Sequence, residues 1–117
     1  MGIRLEVTAE SLFGQFADDL DAKLTEGETL AAHRLMALST AVAPLDVGTL
    51  IGTAAVEPAQ TPEEGAAVTY DTPYAARLHE HPEYNFQNGR QGKYLESPAV
   101  ENKDELGQII LRAVQIE

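Results

Sequence analysis

TAAVEP (53–58) and GAAVTY (65–70) flank the segment AQTPEE (59–64), and the reading of these three pieces decides the fold. Both flanks are rich in Val, Ala and Thr, with strand-like character. The segment between them carries Pro62 and the pair Glu63 and Glu64, which suits an exposed turn. The simplest product is an antiparallel β-hairpin. Small residues dominate both strands, so one face of the hairpin is expected to lie close against a helix.

Upstream of the hairpin the period changes from two to between three and four. Apolar side chains fall at Phe13, Phe16, Leu20 and Leu24, then at Ala31, Leu35, Leu38 and Val42. That spacing makes one stripe of a long N-terminal helix. Thr8 is a candidate cap, and Glu10 suits the first turn. Asp18, Asp19, Asp21, Lys23, Glu26 and Glu28 fall to the polar side. Gly27 weakens the run and is a candidate break into two helices. Unbroken, the helix is ~50 Å long at 1.5 Å per residue, more than one small domain covers. Pro44 stops it, because the residue before a proline leaves the α region. Ahead of it IRLEV (3–7) alternates, which predicts a short strand over residues 1–8, with a loose arm as the alternative.

Downstream, Thr72 and Pro73 have the cap-then-proline form of a helix start. That helix is short, since Pro82 ends it near His81. NFQNGRQGK (85–93) is rich in Gly and Asn and predicts a loop. Ser97 and Pro98 repeat the cap-then-proline form. Leu106, Ile109, Ile110, Ala113 and Val114 then form the stripe of a C-terminal amphipathic helix. The expected architecture is a single α+β domain over 1–117: long N-terminal helix, hairpin or small antiparallel sheet, short helix, C-terminal helix.

Composition narrows the function. The chain has 117 residues, with 19 acidic against 8 basic, a formal net charge of −11. A nucleic-acid binder needs a cationic footprint, and none is present. Cysteine is absent, which removes disulfides, thiolate metal sites and thiol nucleophiles. No apolar run approaches the ~18 residues of a membrane span, and no secretory leader pattern opens the chain, so a soluble protein made in a cytoplasm is expected.

The sharpest candidate chemistry is LHEHPE (78–83). His79, His81 and Glu83 share a side of an extended chain and make a conceivable metal ligand set, hence a small metal-binding enzyme. A metalloprotease helix needs its histidines four apart, whereas these are two apart, and Pro82 interrupts the helix. The plainer reading, a polar helix end, is preferred. Ser11, Ser39 and Ser97 lack the context of a nucleophile elbow. NGRQGK (88–93) matches no phosphate-binding motif, but its Arg90 and Lys93 make a cationic loop suited to an acidic neighbour. No cofactor, metal or catalytic centre is expected. An acidic DNA mimic is a further alternative, weakened by the scatter of its charges.

Three stretches together resemble the small neck proteins of tailed bacteriophages, the minor capsid, tail-completion or head–tail connector family. PLDVGTL (44–50) is similar to that family's "P-x-D-x-G-x-L" turn between a long helix and a hairpin. VTYDTPYAARLHE (68–80) is similar to its strand, P-Y-A and short acidic-ended helix. GKYLESPAVENKDEL (92–106) is similar to its "K-Y-L-E-x-A" approach to the C-terminal helix. The likeness runs over about residues 30–112. It departs where Ile51 stands for a frequent Arg, at His81-Pro82, and at Pro98. The resemblance implies a non-enzymatic virion protein at the head–tail interface, forming a ring of six or twelve copies. Its neighbours would be a portal-side adaptor or stopper and a tail terminator or tail-tube protein, with DNA passing through unbound. Asp46, Gly48, Leu50, Tyr74, His79, His81, Arg90 and Lys93 are the interface residues it suggests, with the long helix and the hairpin as the ring contact. His79 and His81 would make such a contact sensitive to pH near 6.5.

Overall fold

The computed structural model describes residues 2–7, 21–44, 49–72, 75–81 and 90–115. The expected features at Thr8 through Leu20, at Asp46 and Gly48, at Pro73 and Tyr74, and over Pro82 through Gly89 lie outside them. The α+β architecture is as the sequence predicts. Strand β1 (Ile3–Val7) precedes helix α1 (Asp21–Thr40), a one-turn helix α2 (Thr49–Gly52), and the hairpin β2 (Ala55–Glu57) and β3 (Ala66–Tyr70). Helices α3 (Ala75–Glu80), α4 (Glu96–Glu101) and α5 (Lys103–Val114) complete the chain.

The sheet order is β1-β3-β2, with both neighbours antiparallel to β3. The N-terminal segment is therefore a strand and not an arm. Ile3 faces Tyr70, Leu5 faces Val68 and Val7 faces Ala66, while Val56 faces Val68 from the other side. Alternation puts these residues on one face, which lies against α1. Arg4, Glu6 and Glu57 take the opposite face. The hairpin turn is organised by Thr61, whose hydroxyl accepts from the Glu64 N–H at 3.2 Å and whose carbonyl accepts from the Gly65 N–H at 3.0 Å. Gly65 has φ 68°, a left-handed conformation that glycine adopts without a Cβ penalty. The first strand is shorter than expected because Thr53 lies in the turn that closes α2, where its N–H and its hydroxyl both donate to the Leu50 carbonyl, at 3.1 and 2.8 Å.

Gly27 does not divide α1, which is one helix from Asp21 to Thr40. It is instead the position where α5 crosses. A Cβ there would stand 3.0 Å from the Ala113 Cβ and 3.0 Å from the Ile110 Cα. Helix propensity loses about 1 kcal/mol at Gly27, and the close α1–α5 packing offsets it. Glu28, expected on the polar side, is fully buried. Its place follows from the steps of three and four that link Leu24, Glu28, Ala31 and Leu35 on one stripe.

Two further boundaries differ from expectation. α1 ends at Thr40, short of Pro44, and Val42 and Ala43 both donate to the Ser39 carbonyl. The end is sealed by Arg90, whose guanidinium donates to the carbonyls of Thr40 at 2.8 Å and Ala41 at 2.6 Å. A cation there also answers the negative end of the helix dipole. The last helix is broken at Asn102 and not at Pro98. Ser97 lies inside α4, donating its N–H to the Lys93 carbonyl at 2.9 Å, and makes no cap. Pro98 sits in the first turn, where a missing N–H costs nothing. The Asn102 backbone N–H and side-chain amide both donate to the Pro98 carbonyl, at 3.0 and 2.9 Å, and close α4 before α5 begins at Lys103.

Candidate functional site

The histidine region is a joint between α3 and α4. The His79 ring is buried, 3% exposed. Its Nε2 accepts the Glu96 N–H at 3.1 Å, so that nitrogen carries no proton; its Nδ1 therefore holds the ring proton and donates to Glu80 Oε2 at 2.9 Å. The His79 carbonyl accepts from the Lys93 N–H at 2.7 Å. The imidazole meets the Tyr94 ring edge-on, with centroids 5.1 Å apart, and Tyr94 meets Tyr70 in the same way at 5.0 Å. Tyr94 donates its hydroxyl to the Ala75 carbonyl at 2.6 Å, and Tyr70 shares a buried hydrogen bond with Ser39 at 2.7 Å. One continuous chain of contacts thus ties α1, β3, α3 and α4 together.

This geometry opposes the metal reading of His79, His81 and Glu83. A ligand nitrogen needs a free lone pair, and the His79 Nε2 lone pair is held by the Glu96 N–H. His81 lies just beyond α3, half-buried, and Glu83 is outside the described residues. Among the described residues, no group of three or more His, Asp or Glu side chains gathers where a metal ion would sit.

The cationic-loop expectation for Arg90 and Lys93 also meets a different arrangement. Arg90 is the cap of α1. Lys93 reaches Glu80 at 2.6 Å and Glu96 at 3.8 Å. Lys93 also has φ 51°, a left-handed conformation that a non-glycine residue enters at a cost of about 1–2 kcal/mol. The backbone bond to His79 and the ion pairs hold it there. The Glu80 carboxyl is held below the usual carboxylate range by Lys93 first and His79 second, and the Lys93 ammonium is raised chiefly by Glu80. Burial pushes the Tyr94 hydroxyl well above the ordinary phenol range, with Tyr70 adding to it. Burial also raises Tyr70, partly offset by the hydrogen bond with Ser39. Thr72 is buried without a partner for its hydroxyl among the described residues, and its carbonyl accepts from the Ala75 N–H at 3.3 Å. Leu50 is fully buried in the core.

The surface features are of a different kind. A polar cleft of about 460 Å³ runs along the outer sheet face between Arg4, Glu6, Glu57 and Glu64. Arg4 reaches Glu57 Oε1 at 2.7 Å and also pairs with Glu6. An apolar groove of about 340 Å³ lies beyond β1, between Leu5, Val7, Leu35, Ala99, Val100 and Leu106. A shallow depression joins α1 to the hairpin turn, where Leu30 is 50% exposed beside Thr29, His33 and Ala59. The Thr29 hydroxyl accepts from the Ala59 N–H at 3.0 Å and fixes that junction. Sequence reasoning missed the apolar groove, because it assembles from β1, α1, α4 and α5, which are far apart in the chain. The signal for the Leu30 site was present: Leu30 lies off the stripe of Leu24, Ala31 and Leu35. No described helix is long and apolar enough to cross a membrane. No family model, curated protein or solved structure matches this chain.

Proposed function

We propose that the chain is a structural protein of the neck of a tailed bacteriophage. In this reading it is made in the bacterial cytoplasm and incorporated into the virion. It forms a ring of six or twelve copies between the portal-side connector and the tail, and the genome passes through the ring. The observation that carries the reading is the run of three family-like stretches, 44–50, 68–80 and 92–106, in their expected order. The element order supports it: a long helix, a hairpin, a short helix ending at Glu80 and a C-terminal helix pair.

The physical properties suit the role. A formal charge of −11 repels phosphates, so duplex DNA slides past such a wall without sticking. A ring needs a heterologous contact, in which one patch meets a different patch on the next copy. The α1–hairpin junction fits the first patch, since Leu30 is a large apolar side chain held half exposed on a fixed support. The described site residues then serve the ring indirectly, His79 and Lys93 by holding the α3–α4 corner and Arg90 by closing the end of α1.

The test is co-expression with the products of the neighbouring reading frames, followed by native mass measurement. A complex with six or twelve copies is expected. Leu30→Glu, on the surface, abolishes that complex while leaving the free energy of unfolding within about 0.5 kcal/mol of the parent. A protein that never joins a larger assembly, or a ring indifferent to Leu30→Glu, contradicts the reading.

A further inference from the structure

β1 is an edge strand. One side pairs with β3, and among the described residues no strand pairs with the other. An open edge presents unpaired N–H and C=O groups to any strand that fits. Beside it lies the apolar groove, with Val100 at the rim, 69% exposed. The sequence of β1, Ile3-Arg4-Leu5-Glu6-Val7, is balanced about Leu5 in its polarity and opposite in its charges.

That balance specifies an occupant. When a second copy of β1 runs antiparallel with Leu5 opposite Leu5, Ile3 falls opposite Val7 and Arg4 falls opposite Glu6. The charge pairing occurs twice, once on each side of the axis. Opposite charges directly across an antiparallel pair attract, and like charges repel. A parallel, in-register copy instead sets Arg4 against Arg4 and Glu6 against Glu6. We propose that the free protein forms a two-fold dimer through β1, joining two three-stranded sheets into one.

The surroundings agree with that pairing. The Arg4 and Glu6 side chains are 46% and 58% exposed. Within one copy Arg4 already pairs with both Glu57 and Glu6, which hold the guanidinium over the outer face. The N–H groups these bonds leave can reach the Glu6 carboxylate of the second copy, so that the two Arg4–Glu6 pairs join into one four-charge cluster about the axis. A two-fold axis perpendicular to the sheet keeps both helical layers on one side. Ala99 and Val100 of each copy then lie along the apolar face of the other's β1, which fills the groove. The contact is isologous and closes at two copies, so it is distinct from the head-to-tail contact of a ring and uses a surface away from Leu30. It is independent of the neck reading.

Analytical ultracentrifugation of the intact chain tests it over a concentration series reaching hundreds of micromolar. The parent chain is expected to move from monomer to dimer across the series. Glu6→Arg places Arg opposite Arg, and Arg4→Glu places Glu opposite Glu. Each variant alone should self-associate about tenfold more weakly or worse. Mixed in equal amounts, the two variants restore both charge pairs and should form a heterodimer. Circular dichroism shows whether each variant is folded. Because the chain has no cysteine, Leu5→Cys adds a second readout. Residues opposite on the axis lie within disulfide reach, so mild oxidation should give a covalent dimer. A parent chain that stays monomeric, charge variants that dimerise as well as the parent, or a mixture that does not recover would each overturn the proposal. None of these results bears on whether rings form with neck partners.

Discussion

Both nitrogens of His79 are occupied, by the Glu96 N–H and by Glu80. Replacing His79 by Ala removes a buried ring and leaves a helix-start N–H without its acceptor. A loss of about 2–4 kcal/mol is expected in urea unfolding at neutral pH. Tyr70 and Tyr94 both have raised pKa values in the fold, so the stability they contribute is present below the ordinary phenol value of about 10 and is lost as pH rises beyond it. Ultraviolet titration should show these two phenols ionising together with unfolding, and Tyr94→Phe should remove part of that alkaline dependence. Glu80 has the opposite sign. Its folded pKa is lowered, so its contribution is present above the usual value of 4.5 and lost as pH falls through the folded value. Glu80→Gln should flatten the stability profile in that acid range. The sequence shows where His79, Tyr70 and Tyr94 stand but not that they meet. Their contact joins residues 70, 79 and 94, and burial of a polar ring leaves no local pattern. Arg90 and Lys93 were legible as cations in a Gly-rich loop, yet their partners are the end of α1 and Glu80, fixed only by the fold.

The elements most open to sequence reading are those with a clean period. Ile3, Leu5 and Val7 at steps of two and Leu106 and Ile110 at a step of four lie in the elements they predict. Gly27 was misread because propensity sees only its own helix. Its function comes from α5, which is brought across it by packing between distant segments. Gly27→Val should therefore destabilise the protein by about 3 kcal/mol in thermal or urea unfolding, since its methyl groups push on the Ile110 backbone. Asn102 and Pro98 teach a related lesson. A proline in a first turn is harmless, whereas Asn102, which leaves the helical conformation at φ −112° and puts its amide on the Pro98 carbonyl, marks the break. Arg90→Ala should cost about 1 kcal/mol and fray the last turn of α1, as seen by faster amide exchange at Val42 and Ala43.

At the level of the whole molecule, the charge of −11 would act between copies in the proposed ring. Carboxylates on adjacent copies would repel at low ionic strength, and physiological salt screens such charges over about 8 Å. Assembly that brings apolar patches such as Leu30 together should therefore strengthen as salt rises towards the physiological range, the reverse of a protein that binds DNA. The α+β class was readable because it depends on local periods and breakers, whereas the one-turn helix α2 and the division of the C-terminal helix at Asn102 were not. The proposed assembly surfaces were less so, because the groove beyond β1 exists only after β1, α1, α4 and α5 have converged. The proposed neck role is tested most directly by electron microscopy of the protein co-expressed with the products of the neighbouring reading frames. Closed rings with six- or twelve-fold symmetry and an open central channel wide enough for a DNA duplex are the expected result. Virions that lack the protein, or particles in which it forms no ring about the axis, would rule out the proposed neck role.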